Sequence, residues 1–426
     1  MDIQQLLHED NAHAPVKPKQ WQGWWFLASV FIGCTICVPV FFIGADVSHQ
    51  LPYGQFIGAT LLSGLILWGI ATATGLVGQQ TRLSTPLLAR VAFGNWGSLL
   101  VNIAQGLCAI GWFGIQIGVF AAAFMALSQQ VWGITFDAVA VKIIAGLVMA
   151  STAVVGFRGL GKVSYAATPL LILLLVAPLV ILGWQGQLGQ VLKFVPATEP
   201  MLFGTLVAML VGIYSFANTT PDLTRFMKDK RSTIIGLGAN FMLAYPLVLI
   251  LTGTLALATG NHDFMQIMIA LGFGSLAILT LFLSTWTTND TNVYSAALAT
   301  SQLWPSRPRW LHAAAAGFIG TVFAIFGIFE HFVEWLIFTG NLFPSLAGAY
   351  VADYYLTPQH YRRLDKIRRW RWLPLGAWLG GFLVGLATTS PVHMGLGLFT
   401  LTGISALDAI LVAVVLRWLV QPWCKH

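Results

Sequence analysis

The polar residues that could bind a cation lie in one otherwise apolar segment of the chain. Positions 284 to 292 hold eight polar side chains: Ser284, Thr285, Thr287, Thr288, Asn289, Asp290, Thr291 and Asn292. Hydroxyl and carbonyl oxygens suit a hard monovalent cation, because they can replace its hydration shell. Ser284 and Thr288 share a helix face at i and i+4, with Thr287 beside them. The segment therefore predicts a cation site on one face of a helix.

Asp290 is the only acid in the core of this segment. It could balance the charge of the cation, bind a proton, or make a hydrogen bond between helices. Ionisable groups inside a membrane are costly and usually face a partner or a cavity. All three roles therefore require Asp290 to face protein, and the sequence leaves the three open.

The composition indicates that this segment belongs to a membrane protein. Of the 426 residues, 57% are apolar and only 9% are charged, against about 25% charged in soluble proteins. The apolar residues fall in blocks of about 20, the length that crosses ~30 Å of hydrocarbon. Twelve blocks, called spans 1 to 12 below, are predicted at 24–48, 55–78, 97–127, 138–157, 164–184, 202–220, 233–258, 272–299, 311–329, 332–353, 373–389 and 396–418. A short amphipathic helix is expected at 263–271.

The basic residues are distributed very unevenly between the two sides of these spans. One side carries 20 of the 22 Lys and Arg residues, and the other carries only Lys142 and Lys193. Cytoplasmic loops are enriched in Lys and Arg, so we expect a multi-pass protein of a bacterial inner membrane with both termini in the cytoplasm. The net charge of +7 therefore reflects topology rather than nucleic-acid binding. The basic run at 362–371 is interpreted as a topology anchor, with lipid-headgroup contact as the alternative.

Two spans contain sequences that break helices. Span 1 has Pro39, which removes a helical hydrogen bond, and span 6 concentrates Gly and polar residues between 212 and 220. Breaks five spans apart indicate an inverted repeat with unwound backbone near the midplane; an ordinary kink and a polar helix end are the alternative. Between spans 2 and 3, Thr85 is a candidate N-cap, with Pro86 at the first position of a short interfacial helix.

Several other function classes are disfavoured. The His, Asp and Glu residues do not cluster, and no HExxH spacing occurs, so we expect neither an enzyme nor a resident cofactor. Cys34, Cys37 and Cys108 lie inside apolar blocks and are interpreted as packing residues. Broken helices with oxygen ligands suit an occluded site better than the continuous pore of a channel. Neither an output domain nor an obligate protein partner is evident, and the bilayer is the expected environment.

Five segments carry a resemblance to a known family. They are Leu88-Ala-Arg-Val-Ala-Phe-Gly94, Ile110-Gly-Trp-Phe-Gly114, Asp222-Leu-Thr-Arg-Phe226, Trp286-Thr-Thr-Asn-Asp290 and Gly348-Ala-Tyr-Val-Ala-Asp-Tyr-Tyr355. Together they resemble the cytosine-permease branch of the nucleobase:cation symporter-1 family. The resemblance implies an all-α polytopic membrane protein with 12 transmembrane helices: a five-plus-five inverted repeat of leucine-transporter-like fold and two C-terminal helices.

The domain boundaries follow from this fold and the predicted spans. The repeats are expected at 23–185 (spans 1–5) and 200–355 (spans 6–10), and the last two spans at 373–420. Residues 1–22 and 421–426 are expected to be cytoplasmic tails.

The resemblance also implies a function and a cation site. The function is secondary active import of a nucleobase (cytosine-like) or a related small heterocycle, by sodium-coupled symport and alternating access. The matching Na+ ligands are the carbonyls of Gly33, Ile36 and Ser284 and the hydroxyls of Thr287 and Thr288. Na+ would be the coupling ion, and both hydroxyls favour it over a proton.

For the substrate, the resemblance implies a flat ring held between two aromatic side chains. Trp112 matches the family's stacking Trp, and Tyr214 is the best match for the ring on the other face. Stacked aromatic faces contribute ~0.5–1.5 kcal/mol per pair beyond area burial. The alternative for Trp112 is packing against lipid or protein, since the chain has 17 Trp residues.

The residues that read the edge of the ring depart from the cytosine-permease pattern. Ala109 and Ser284 stand where those permeases carry Gln and Asn. Gln116 lies one turn after Trp112, at the spacing of a Gln in the hydantoin-transporting branch, and Ser215 and Asn289 are further candidate contacts. These changes weaken the case for cytosine itself. A proton-coupled importer, a vitamin-precursor importer (of a pyrimidine or pyridine alcohol) or a hydantoin-type importer of the same family is the alternative.

Overall fold

A computed structural model describes residues 14–155, 157–196, 201–213, 219–362, 364, 367–390 and 395–419. The regular structure in these ranges is helical, apart from one isolated β-bridge between Gln22 and Met227. Span 1 consists of two helices, Trp24–Thr35 and Val38–Ser48, which meet at an angle of 63°. Spans 2 to 5 are the helices Tyr53–Thr81, Thr85–Trp132, Ala138–Val155 and Phe157–Trp184.

The second half of the chain repeats this pattern of long helices around one break. Span 6 begins with the helix Phe203–Ile213, and the helix Pro221–Thr224 follows the undescribed residues 214–218. Span 7 runs over Lys230–Thr259 and contains a π-helical segment at Ala239–Ala244. The predicted amphipathic helix is confirmed at Phe264–Ala270. Spans 8 to 12 are the helices Gly274–Ser301, Arg309–Ile325, Phe332–Leu356, Trp372–Thr388 and Ser405–Leu419.

Length and hydropathy alone identify fewer of these helices as membrane spans. Three described helices, in spans 2, 3 and 7, are each long and apolar enough to cross a bilayer, and counting bent pairs as single spans raises the number to five. Span 8 has 28 residues, which is long enough at 1.5 Å per residue. The polar residues at 284–292 lower the mean hydropathy of span 8, so a hydropathy test does not identify it as a membrane span.

The predicted start of span 12 at residue 396 is wrong, because its helix begins at Ser405. The preceding residues instead extend along the end of span 11, where Leu396 N donates to Leu386 O at 2.9 Å and Leu398 N to Ala387 O at 2.8 Å. Two glycines in this stretch have positive φ, 59° at position 397 and 80° at position 403. Such conformations do not continue a right-handed helix.

The N-cap predicted at Thr85 is also wrong. The helix begins at Thr85 itself, so Ser84 is the N-cap residue and Pro86 lies in the first turn. The expected interfacial helix is the first part of the same element as span 3 and joins it through a kink at Gly94, whose φ is 84°. A Cβ at Gly94 would lie 2.8 Å from Arg369 O, because the segment before span 11 packs into the kink.

A buried carboxylate holds the last three spans together. Asp353, at the end of span 10, accepts hydrogen bonds from Arg371 Nη1 and Arg417 Nη2, each at 2.7 Å. The Tyr361 hydroxyl donates to the same carboxylate at 2.9 Å. Asp353 and Arg417 have no exposed side-chain surface. A buried charge needs such partners, so spans 10, 11 and 12 form one packed unit.

Candidate functional site

The break in span 1 lies at Ile36 and Cys37. The first helix ends at Thr35, and Cys37 has extended backbone angles (φ −140°, ψ 157°) before the second helix begins at Val38. Pro39 falls in the first turn of that second helix, where its missing N–H group costs no intrahelical hydrogen bond. The break frees backbone carbonyls that would otherwise accept hydrogen bonds within a helix. The residues at the break are buried.

Span 8 presents its hydroxyl groups to this break. Thr287 Oγ1 donates to Gly33 O at 2.8 Å, and Thr288 Oγ1 donates to Cys34 O at 3.2 Å. Both hydroxyls also lie within hydrogen-bonding distance of Ser284 O, at 3.1 Å and 3.0 Å. Four of the five predicted cation ligands, all except Ile36, therefore lie in one hydrogen-bonded cluster, and Ile36 is buried at the break itself.

Gly33 allows the close approach of three spans at this cluster. A Cβ at this position would lie 3.2 Å from Thr168 Oγ1 of span 5 and 3.4 Å from Thr287 Cβ. Thr168 Oγ1 donates to Ser29 O at 2.9 Å and places another buried hydroxyl near the predicted ligands. Sequence reasoning did not identify Thr168, because its position depends on how span 5 packs against span 1.

The donor set fits a hard cation. Its atoms are backbone carbonyl and hydroxyl oxygens, and the described residues hold no group of three or more His, Cys, Asp or Glu side chains that could bind a transition metal. Unwound backbone carbonyls at the break of a membrane helix can coordinate Na+. The arrangement can therefore hold a monovalent cation between spans 1, 5 and 8.

The predicted ring-binding residues of span 3 share one buried face. Ala109, Trp112 and Gln116 follow at i, i+3 and i+7, and each is at most 6% exposed. The side chains of Gln116 and Thr288 both lie close to the thiol of Cys37. Cys37 therefore connects the predicted substrate face to the predicted cation cluster, a role that its apolar sequence context does not reveal.

Asn289 and Asp290 lie on a different side of span 8. Asn289 Nδ2 is 3.6 Å from Met149 Sδ of span 4. Asp290 Oδ1 accepts a hydrogen bond from Thr152 Oγ1, which itself accepts one from Trp286 Nε1 at 2.9 Å. The structure thus directs both residues towards span 4 rather than towards the break in span 1.

Tyr214 and Ser215 lie outside the described residues. The residues just before them are described, and a Cβ at Gly340 of span 10 would lie 3.1 Å from Gly212 Cα of span 6. Spans 6 and 10 are therefore in close backbone contact just before position 214.

Buried polar contacts close one end of the site. Asp222, which follows the second break, accepts from Thr85 N at 2.8 Å. Arg225 Nη2 donates to the hydroxyl of Tyr294 in span 8 at 2.9 Å. Arg82 donates to the carbonyl oxygen of Met227 and lies 4.1 Å over the ring of Trp21. Sequence reasoning treated Arg82 and Arg225 as topology charges, whereas the structure places them in specific contacts.

Comparison with solved structures shows the fold. The chain superposes on Mhp1, a nucleobase-cation-symport-1 family transporter in a closed conformation with bromovinylhydantoin bound. The TM-score is 0.78 at 20% identity, and the match covers 97% of this chain and 96% of Mhp1. The chain is thus an all-α, multi-pass membrane protein with twelve transmembrane helices: a five-plus-five inverted repeat followed by two further helices.

Comparison with known sequences shows the family. The chain is 30% identical to the cytosine permease of Escherichia coli (strain K12) over 402 residues, which are 92% of this chain and 93% of the permease. It is 22% identical to the allantoin permease of Bacillus subtilis (strain 168) over 85% of this chain and 81% of that protein. Residues 15–412 match the model of the family described as permease for cytosine/purines, uracil, thiamine, allantoin. The chain therefore belongs to this family of permeases and is a transport protein rather than an enzyme.

Proposed function

We propose that the chain is a secondary active importer of a neutral, nucleobase-like heterocycle, coupled to Na+ by alternating access. One observation carries this proposal: Thr287 and Thr288 bond to the backbone at the break in span 1, and Gln116 lies close to the same break, at Cys37. The proposed cation site and the proposed ring-binding face therefore meet at one helix break. Membership of a family of heterocycle permeases supports the substrate class.

In the proposed cation step, the hydroxyl groups of the cluster rotate, and Na+ binds to the carbonyl oxygens to which they donate in the structure. Gly33, Ile36 and Ser284 would supply carbonyl oxygens, and Thr287 and Thr288 hydroxyl oxygens. Thr287 Oγ1 already lies 3.1 Å from Leu283 O. Its proton can therefore turn to that carbonyl while a lone pair faces the ion, because a hydroxyl both donates and accepts.

In the proposed substrate site, the ring stacks on Trp112 with Tyr214 on its other face. Gln116 reads one edge of the ring, and Ser215 is a further candidate contact. Ala109 and Ser284 offer no amide, so a cytosine edge has fewer partners here than in the cytosine-permease pattern. A polar edge left unpaired in a buried site weakens binding strongly. We therefore expect cytosine to bind more weakly here than in a permease that carries both amides.

The proposed coupling is supported by the closeness of Cys37 to both Gln116 and Thr288. Na+ that fixes the break would also fix Gln116, so ion and ring would each raise the affinity of the other by the same factor. Span 10 could then bend over the site at Pro344, which lies inside its helix. The distribution of Lys and Arg supports an inner-membrane orientation with both chain ends in the cytoplasm.

A thermal-shift screen of the purified protein tests the proposal. The ligands are cytosine, uracil, hypoxanthine, allantoin and a pyrimidine alcohol, each in NaCl or in choline chloride. We expect at least one ring to raise the melting temperature in NaCl only. Thr288→Ala should abolish this sodium dependence, whereas Thr280→Ala, which removes a buried hydroxyl of the same helix that bonds to Leu276 O, should retain it. Stabilisation by no ring would refute the proposed substrate class.

Proton coupling is the second candidate, and one observation favours it. Asp290 Oδ2 is buried and has no hydrogen-bond partner among the described residues. A carboxyl group in this environment is stabilised by a proton. If the melting-temperature shift is the same in NaCl and choline chloride, and Asp290→Asn removes the pH dependence of uptake, protons rather than Na+ drive transport.

A further inference from the structure

Two buried amides extend the ring-binding face of span 3 towards the start of that helix. Asn102 and Gln105 precede Ala109 and Trp112 by seven residues each, which is close to two helical turns, so all four share one face. Seven residues of helix rise by ~10 Å. The amides therefore lie about two turns from the proposed ring site, towards the end of span 3 that begins at Thr85.

These amides have no hydrogen-bond partners among the described residues. The nitrogen and the oxygen of both side chains are unbonded there, although Asn102 is 0% and Gln105 only 5% exposed. Buried polar side chains normally have a partner, and each exception needs an explanation. Asn102 and Gln105 together offer four unbonded polar atoms within one helical turn, so this part of span 3 favours a polar occupant.

The contacts that close this end of the site lie before these amides. A Cβ at Gly106 would lie 3.2 Å from Thr300 Cγ2, so Asn102 and Gln105 are level with the last turns of span 8. Tyr294, which bonds to Arg225, lies about two turns earlier in span 8, so the amides are on the far side of this closure from the proposed ring site. A ring that leaves Trp112 towards that end would meet them once the closure has opened. Its polar edges would otherwise have to cross the interior without hydrogen bonds.

We propose that Asn102 and Gln105 form a second binding site for the transported ring, used between Trp112 and the cytoplasm. Each amide places a carbonyl acceptor beside an NH2 donor, and this pair matches the adjacent donor and acceptor on a lactam or amidine edge. A cation is a poorer occupant, because it would meet two NH2 groups. This inference rests on the proposed function and adds a release site to it.

The test uses proteoliposomes and the apolar variants Asn102→Leu and Gln105→Met. The probes are radiolabelled cytosine, uracil and allantoin, and the assay continues with those that the wild type takes up. We expect the half-saturating external concentration to change by less than about twofold. The half-saturating internal concentration for counterflow should rise by about tenfold, as expected for the loss of hydrogen bonds on that side only. Ile103→Val, a 51% exposed position at the same depth, is the control.

Equal shifts on both sides, or none on either, would overturn the second site and leave the amides as a water-binding pair. The melting temperature of the two variants is a second test that needs no ligand. It should be unchanged or raised in both variants, because the amides lose no internal partner; a marked fall would reveal such partners and overturn the inference. If the wild type takes up none of the three rings, the proposed function fails first, and the ring site fails with it.

Discussion

Arg225 Nη2 donates to the hydroxyl of Tyr294 across 2.9 Å, and both side chains are fully buried. The bond joins the segment after span 6 to span 8. The neighbouring contact from Thr85 N to Asp222 joins the same segment to span 3. Opening this end of the protein must therefore break two buried polar contacts.

Tyr294→Phe should loosen this closure. The variant leaves a buried guanidinium without one acceptor, at a cost of about 1.5–3 kcal/mol for a hydrogen bond to a charged group. We expect the peptide that contains Thr85 to exchange its amide hydrogens faster, as measured by mass spectrometry. Tyr53→Phe, which removes a neutral bond to Thr254 at 2.7 Å, should leave that peptide unchanged. Equal exchange in wild type and Tyr294→Phe would show that the bond does not hold the end closed.

Gly33→Ala should weaken the response to Na+. The new Cβ would lie 3.2 Å from Thr168 Oγ1, a contact tight enough to push span 5 or Thr287 away from the cluster. We expect the half-saturating Na+ concentration for uptake to rise about fivefold or more, as for the loss of ~1 kcal/mol of binding. Gly54→Ala, which has open space around it, is the control.

The double variant Gly33→Ala/Thr168→Ala tests the reason for this effect. It removes the crowded oxygen and should recover part of the lost sodium affinity. A single Gly33→Ala variant with normal sodium dependence would place the cation elsewhere.

Asp353→Asn should destabilise the unit formed by spans 10 to 12. The buried Arg417 and the partly buried Arg371 would lose the charge that they share, and breaking a buried ion pair costs about 3–5 kcal/mol. We expect a large fall in the monodisperse fraction on fluorescence-detected size-exclusion chromatography. Glu330→Gln, an exposed acid, should behave like the wild type. A normal elution profile for Asp353→Asn would show that the arginines find other partners.

Asp229 gives a stability effect that depends on pH. It accepts from Ser232 N at 2.7 Å as the N-cap of span 7. That backbone N–H is the main cause that holds the pKa of Asp229 below its usual range, against a smaller opposing effect of desolvation. A lowered folded-state pKa gives stabilisation that is complete above the unfolded value of about 3.9 and is lost as the pH falls through the folded value.

Asp229→Asn should therefore make the melting temperature less sensitive to pH between about 5 and 3. Asn caps helices about as well as Asp, so the change at neutral pH should be small. Thermal unfolding of wild type and variant across this range measures the difference. Parallel curves would exclude a contribution from this cap.

The fold could be predicted from local properties of the sequence, whereas much of the site could not. Apolar length and the distribution of Lys and Arg were enough for twelve spans, and Pro39 marked the region of the break in span 1. The start of span 12 was wrong because residues 396–398 are apolar yet bond to the end of span 11. Hydropathy does not record such a backbone pairing.

Helical spacing placed Ser284, Thr287 and Thr288 on one face, and the structure brings that face to Gly33. The contributions of Cys37 and Thr168 could not be predicted, since each depends on the approach of a span distant in sequence. The charges after span 2 and span 6 were likewise ambiguous. The sequence alone does not distinguish a basic residue that orients a loop from one that makes a buried contact.

The carboxylate of Asp353 also bears on how the protein is made. Its partner Arg371 follows 18 residues later, but its fully buried partner Arg417 lies 64 residues further along the chain. Until span 12 has been inserted, this acid lacks the second of these two arginines. The two helices beyond the inverted repeat therefore complete the assembly of the repeat during biosynthesis, and a nascent chain that lacks them should be a substrate for membrane quality control.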